Sequence, residues 1–210
     1  MVQKTSLSLV LRWAQRALFA MAIAMLGYCG FVLTNAWMFQ NRENRKLARL
    51  VHDGHAGAGP LPAAPEPPSL IGPDGLIGRL EIPRIGVSVV VVEGTGGPVL
   101  RRAAGHIVGT GLPGRAGNVG IAAHRDTYFL PLRNIHPDDL ITLTTEWGEY
   151  RYRVVSTKVV GPYDVAVLNP DGTEILTLVT CYPFNFVGAA PDRFIVRAER
   201  VKGIRPLPLL

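Results

Sequence analysis

The sequence predicts a mainly β domain, a barrel or sandwich of short strands with little helix, carried behind one N-terminal transmembrane helix. Three observations predict it. A 23-residue run without a charge lies near the N-terminus. After residue 75 the chain breaks into short β-branched runs separated by Gly and Pro turn signals. Between these regions lies a stretch of Gly, Ala and Pro that lacks the apolar residues to build a core. The 210 residues suffice for one domain of ordinary size plus these appendages.

Charge separates the regions and excludes one class of function. The net charge is +6. Residues 1–50 hold seven Lys or Arg (Lys4, Arg12, Arg16, Arg42, Arg45, Lys46, Arg49) and one acid, Glu43, which accounts for the whole excess. The rest of the chain carries fifteen basic and fifteen acidic residues and is formally neutral. A nucleic-acid binder carries its basic surface on the folded domain. Here the positive charge flanks an apolar segment, as membrane-adjacent charge does.

That segment, Ala17 to Phe39, reads "ALFAMAIAMLGYCGFVLTNAWMF". A helix rises about 1.5 Å per residue and a bilayer core is about 30 Å thick, so the segment is long enough to span. Trp37 lies where an interfacial aromatic belt would sit. A cleaved signal peptide would have a shorter apolar region, about 7–15 residues, ending in a small-x-small site. "TNAWMF" is a poor match to such a site, so the expectation is an uncleaved signal-anchor. Three Lys or Arg precede the span and four follow it, so the positive-inside count leaves the orientation open.

Asn41 to Val51 is charged and is expected to continue as helix. Asp53 to Ser69, "DGHAGAGPLPAAPEPPS", reads as a semi-extended tether. His52 and His55 stand three apart at its start, but no third ligand lies near enough to make a metal site. The domain division expected is a cytoplasmic tail (1–16), a membrane anchor (17–39), a charged stem with tether (40–75) and a folded domain (76–210).

The folded domain reads as strands. "LIGRLEIPRIGVSVVVVEG", broken at Pro83 and Gly86, gives two. "GNVGIAAH" gives one that ends at His124. "LITLTTEWGEYRYRVVSTKVV" alternates well and predicts a hairpin turning near Trp147-Gly148. "EILTLVTC" and "RFIVRAER" complete the set. The segment "VLRRAAGHI" is the candidate short helix. There is no internal repeat, no glycine-rich phosphate loop and no metal-spaced Cys/His cluster.

Chemistry centres on a cysteine. Cys29 lies inside the apolar segment, so Cys181 is the only cysteine of the soluble part and has no disulfide partner there. The plain alternative is a buried core thiol, since free Cys is among the most buried residue types. A thiol acts as a nucleophile when a positive or proton-accepting neighbour promotes its thiolate. Acyl transfer further needs a donor at the oxyanion and an acid for the leaving amine. Three histidines lie in the folded region. His124 closes a strand and opens "HRDT", a strand-to-loop lip like that of Cys181. His106 sits among small residues in "AGHIVGT", where it packs or caps, and His136 lies in the polar turn "NIHPDD".

"LEIPRIGV", "GHIVGTGLPGRAGNVGIAAHRDTYFLPLRNI" and "TLVTCYPF", followed by "APDRFIVRAE", resemble the sortase family, in particular the class D type. The resemblance spans Leu76 to Glu199 and rests on the His-Arg-Asp segment, the TLxTC signature and the Arg-opened strand, in that order along the chain. It implies an eight-stranded sortase β-barrel with short helices. It implies a catalytic cysteine, histidine and arginine, which fall on Cys181, His124 and Arg193. It also implies a membrane-anchored enzyme whose catalytic domain lies outside the cytoplasm. One departure is Ala123, where many members have Gly; its methyl is expected to narrow the edge of the cleft. The implied reaction is transpeptidation of an LPxTG-like motif through a thioacyl enzyme. The acyl group would pass from a surface protein or pilin to an amine, from a peptidoglycan precursor or a pilin lysine. This chemistry requires no metal or organic cofactor.

A second arginine, Arg197, lies on the same strand face as Arg193, because side chains alternate. If the strands ending at Cys181 and opening at Arg193 pair antiparallel, Arg193 is within reach of the thiol. Arg197 then lies about 13 Å further along. The competing readings are another Cys-dependent acyl-transfer enzyme, such as an L,D-transpeptidase or a cysteine protease, and a non-enzymatic membrane-tethered β-domain.

Overall fold

Alternation of period two builds the strands, and one close backbone approach closes them into a barrel. The structure is a computed structural model and describes residues 3–54 and 71–201. Among these, eight strands form: β1 (Leu76–Ile82), β2 (Val87–Glu93), β3 (Ala104–His106), β4 (Gly117–Ala122), β5 (Leu140–Thr145), β6 (Gly148–Val160), β7 (Glu174–Tyr182) and β8 (Asp192–Arg200). Their order around the closed barrel is β1-β2-β3-β4-β7-β8-β6-β5. The pairs β2–β3 and β4–β7 are parallel and the others antiparallel. The eight-stranded barrel implied by the resemblance is the fold found.

The barrel closes where β1 meets β5. Gly78 is required there, since a Cβ at that position would lie 2.2 Å from the Thr144 carbonyl oxygen. Leu80, Ile82, Val89, Val91, Ile121, Leu143, Leu176, Leu178 and Val196 point inward and form the core, with Phe129 and Leu132 added from the segment after β4. A register shift between Val154 and Ser156 marks a bulge in β6. Before it, Tyr152 and Val154 are buried. Beyond it, the strand runs exposed beside β8 as far as Arg193.

The segment "VLRRAAGHI" departs from expectation. Helix is confined to one turn, Gly97–Leu100, and the chain then enters β3. β3 lies parallel to β2, with Glu93 opposite His106. Gly105 makes this possible, because a Cβ there would meet the Gly94 carbonyl oxygen at 2.2 Å. Helix propensity of "RRAA" yields to a strand-pairing slot that admits glycine alone.

The apolar N-terminal run is helical. α1 covers Gln3–Gly54, so helix continues through the charged stretch. Over Arg12–Arg45 it is long and apolar enough to cross a membrane. From Gln40 onward the chain belongs to the same compact unit as the barrel. Gln40, Glu43 and Leu47 follow the i, i+3, i+7 spacing of one helix face. Glu43 and Leu47 are buried. The Gln40 amide Nε2 donates to the Arg102 carbonyl at 2.5 Å, and its Oε1 accepts from Val90 N at 2.9 Å. It also bonds the Tyr128 hydroxyl. Asp53 and Gly54, read as the start of the tether, instead end α1, and residues 55–69 of the Gly/Ala/Pro-rich tether lie outside the described residues.

Electrostatics fixes the turn before β5. Arg84 donates through Nε and Nη2 to both carboxylate oxygens of Asp139, which is 6 % exposed. Asp139 also accepts from the backbone N–H of His136 at 2.8 Å. The Arg84 hydrogen bond comes first among the causes that hold its carboxyl below the ordinary carboxylate range. A carboxyl depressed in the folded state stabilises above its unfolded value, about 3.9, and that contribution is lost as pH falls through the folded value. Asp139→Asn should therefore lower Tm at neutral pH while flattening the fall of Tm with acid. Thermal melts from pH 7 to pH 2 check this; an acid slope equal to that of the unaltered protein would contradict it.

Candidate active site

The three residues expected at the site come together because three strands end or begin at one lip of the barrel. On β4 and just past it, Val119, Ile121 and Ala123 lie in the core. Alternation therefore carries His124 to the outer face. On β7, Leu176 and Leu178 are inside, so Cys181 points outward. On β8, Val196 and Ala198 are inside, so Arg193 points outward as well.

Their level along the strands also agrees. β4 and β7 run parallel with Ala122 paired to Val179. The bond from Ala123 N to the Val179 carbonyl carries this register one residue past β4, so His124 follows on the side of Cys181, at a strand spacing of about 4.8 Å if the register holds one residue more. β7 and β8 run antiparallel with Cys181 directly opposite Arg193. Oppositely paired residues have Cβ atoms about 4.5–5.5 Å apart, within easy reach of a guanidinium.

The lip is braced immediately behind Cys181 and His124. Thr180, which is buried, donates its hydroxyl to the Ala123 carbonyl at 2.8 Å. The Ala123 N–H donates to the Val179 carbonyl at 3.2 Å. The residue before Cys181 is thus tied to the residue before His124. Further down the same seam, the Thr177 hydroxyl donates to Asn118 Oδ1 at 2.7 Å, and Asn118 Nδ2 donates to the Val167 carbonyl at 3.0 Å. These bonds are buried, where a missing partner is costly, so they fix the spacing of the two strands. At the same end of the barrel, the half-buried rings of Tyr182, Phe184 and Phe194 pack edge-on and stacked at 5.3–6.2 Å between centroids.

Cys181 is partly exposed, so the reading of a buried core thiol is set aside. Arg193 donates through Nη1 to the Asp192 carbonyl at 2.9 Å and the Ala190 carbonyl at 3.3 Å, which holds its side chain beside the β7–β8 loop. His124 is half-buried, and its own carbonyl accepts from Phe129 N at 3.1 Å, turning the chain back to the core.

The competing residues are elsewhere. Arg197 pairs with Thr177, four residues along from Arg193, and binds Asp171 on the β6–β7 connection. His106 is 2 % exposed; its Nδ1 meets Glu93 Oε2 at 2.7 Å and its Nε2 meets the Gly111 carbonyl at 2.8 Å. That is a packing and capping role. His136 is exposed in the turn before β5. Ala123 corrects one expectation: its side chain is 5 % exposed and sits in the core, so its methyl fills the barrel and leaves the cleft edge alone.

Sequence reasoning missed two residues of this region. Thr180 reads as an ordinary strand residue, and only its inward position beside β4 gives it a partner. Arg125, next to His124, donates through Nη2 to the carbonyls of Phe186 and Gly188 across the mouth of the site. No periodicity announces such a bond, because it joins two loops.

Comparison with known proteins agrees with the fold. A sortase domain model matches residues 80–201. The chain is 37% identical over 125 residues to sortase D of Bacillus subtilis, covering 59% of this chain and 63% of that protein. It therefore spans less than two thirds of that relative's length. It resembles the solved structure of a Clostridium perfringens sortase D5 transpeptidase at 32% identity and a TM-score of 0.56, covering 61% of this chain and 80% of that one. Sortase C1 from Streptococcus agalactiae is 30% identical with a TM-score of 0.60, covering 65% of this chain and 74% of the other. The domain model takes in more than half of the chain, with His124, Cys181 and Arg193 inside the matched region: the chain belongs to the sortase family.

Proposed function

We propose that this protein is a membrane-anchored cysteine transpeptidase of the class D type, acting on proteins that carry an LPxTG-like sorting motif. The observation that carries the proposal is the pairing of Cys181 with Arg193 across β7 and β8, with His124 two residues past the end of β4, the strand that lies beside β7. The thiolate of Cys181 attacks the carbonyl carbon of the motif threonine. Negative charge gathers on the carbonyl oxygen, and the Arg193 guanidinium stabilises it. His124, carrying a proton, gives it to the departing amine as the peptide bond breaks. The thioacyl enzyme then meets an acceptor amine. The C–S bond breaks as a new amide forms, the proton lost by that amine returns to His124, and Cys181 is released as the thiolate.

Substrates in this reading are surface proteins or pilins with a C-terminal sorting signal, and the acceptor is an amine such as a peptidoglycan precursor. α1 serves as a single-pass anchor in the cytoplasmic membrane, with the N-terminus inside and the catalytic domain outside. The test is a peptide library presented to the full-length protein in detergent. Cleavage after threonine in an LPxTG-like subset, lost in Cys181→Ala, is expected. A library left intact by the unaltered protein, or cleaved equally by Cys181→Ala, would contradict the proposal.

A further inference from the structure

The loop joining β7 to β8, residues 183–191, connects the strand of Cys181 to that of Arg193, and its central residues have little of their own to hold them. Asn185 to Ala189 are exposed, with Phe186 at 45% and Val187 at 95%. Its internal backbone bond, from Phe186 N to the Pro183 carbonyl, is long at 3.4 Å. Phe184 packs its half-buried ring against the core at one end of the loop, but apolar burial contributes little to the position of residues 185–189.

Arg125 reaches this loop from the segment that follows β4. Its Nη2 donates to the Phe186 carbonyl at 2.7 Å and to the Gly188 carbonyl at 2.9 Å. Its guanidinium carbon stands 5.9 Å from the centre of the Phe186 ring. Hydrogen bonds from an ionised donor are shorter and stronger than neutral ones, and a cation over a ring face adds to them. Arg125 also follows His124 directly in the chain. One side chain thus joins the segment that bears the histidine to the loop that connects Cys181 with Arg193.

We propose that Arg125 is a positioning residue for acyl transfer, fastening the β7–β8 loop over the cleft so that the thioacyl enzyme is met by an amine rather than by water. The inference rests on the transpeptidase reading above. The two fates of the intermediate share one bond change. The thioester C–S bond breaks and the thiol is regenerated. An incoming amine leaves an amide, and water leaves a carboxylic acid. A loop released from Arg125 admits water more freely and lets His124 drift from the thiol.

The proposal is tested on the full-length protein in detergent, with an LPxTG-type peptide and a small amine acceptor. Arg125→Ala should speed hydrogen exchange at residues 183–191 while the barrel strands keep their protection. It should raise the ratio of hydrolysed to amine-transferred product several-fold and lower kcat/KM by about tenfold or more, the scale of a misplaced reacting group. Arg125→Met keeps bulk without a donor and should match alanine. Arg125→Lys should recover part of the loop protection and of the product ratio, because both carbonyls are served by one nitrogen and an ammonium carries three donors. Unaltered loop exchange in Arg125→Ala would overturn the clamp, and a loosened loop with an unaltered product ratio would overturn the positioning role. Absence of turnover in the unaltered protein would instead contradict the transpeptidase reading, while the exchange comparison would still decide the clamp.

Discussion

His124→Ala should slow cleavage of a sorting-motif peptide by roughly 10²–10⁴-fold, the usual contribution of a positioned acid or base. The amine that leaves when the peptide bond breaks must gain a proton, and His124 is the histidine at the lip that holds Cys181. Its strand, β4, runs parallel to β7, and the Thr180 bond to the Ala123 carbonyl fixes the spacing one residue behind both groups. The control is built into the same barrel. His106 is buried between Glu93 and Gly111, and His106→Ala should act on stability rather than on chemistry. If that protein folds, its turnover should stay within a few-fold of the unaltered enzyme. Rates measured at saturating peptide, with folding checked by circular dichroism, decide the matter. A larger loss in His106→Ala than in His124→Ala would reverse the assignment.

Arg193→Ala should cost roughly 10²-fold or more, as loss of one oxyanion donor does. Register is the reason. Cys181 and Arg193 are paired residues, whereas Arg197 is paired with Thr177. At about 3.3 Å per residue, Arg197 stands about 13 Å away along the strand. An oxyanion donor must come within about 3 Å of the charge it stabilises. Arg197 is moreover engaged with Asp171. Arg197→Ala should therefore retain near-normal turnover. Arg193→Lys should recover little, because a point charge does not reproduce the planar fork of a guanidinium. Equal losses at the two positions, in folded proteins, would contradict the pairing.

Much of this arrangement is legible in the sequence, for physical reasons. The strands of the two lips announce themselves by alternation, and the "TLVTC" and "RFIVR" runs place Cys181 and Arg193 at facing ends before any coordinates are known. The hairpin argument for Arg193 over Arg197 needs only antiparallel pairing, and the structure supplies that pairing. What alternation misses is β3. It is three residues long, follows helix-favouring residues, and exists because Gly105 fits against the Gly94 carbonyl. Cross-strand braces such as Thr180 to Ala123 are hidden in the same way, since they depend on which strands become neighbours. Loop-to-loop bonds such as that of Arg125 leave no periodic trace at all. The inward position of Ala123 shows the converse error: adjacency to a reactive residue in sequence puts a side chain on the opposite face of a strand.

The central claim is that Cys181 is the nucleophile of an acyl-transfer site. Intact mass of the full-length protein, incubated in detergent with an LPxTG-type peptide, tests it most directly. The account predicts a thioacyl adduct on the unaltered protein that hydroxylamine discharges and that is missing from Cys181→Ala. An adduct of the same mass on Cys181→Ala would place the nucleophile on another residue and contradict it.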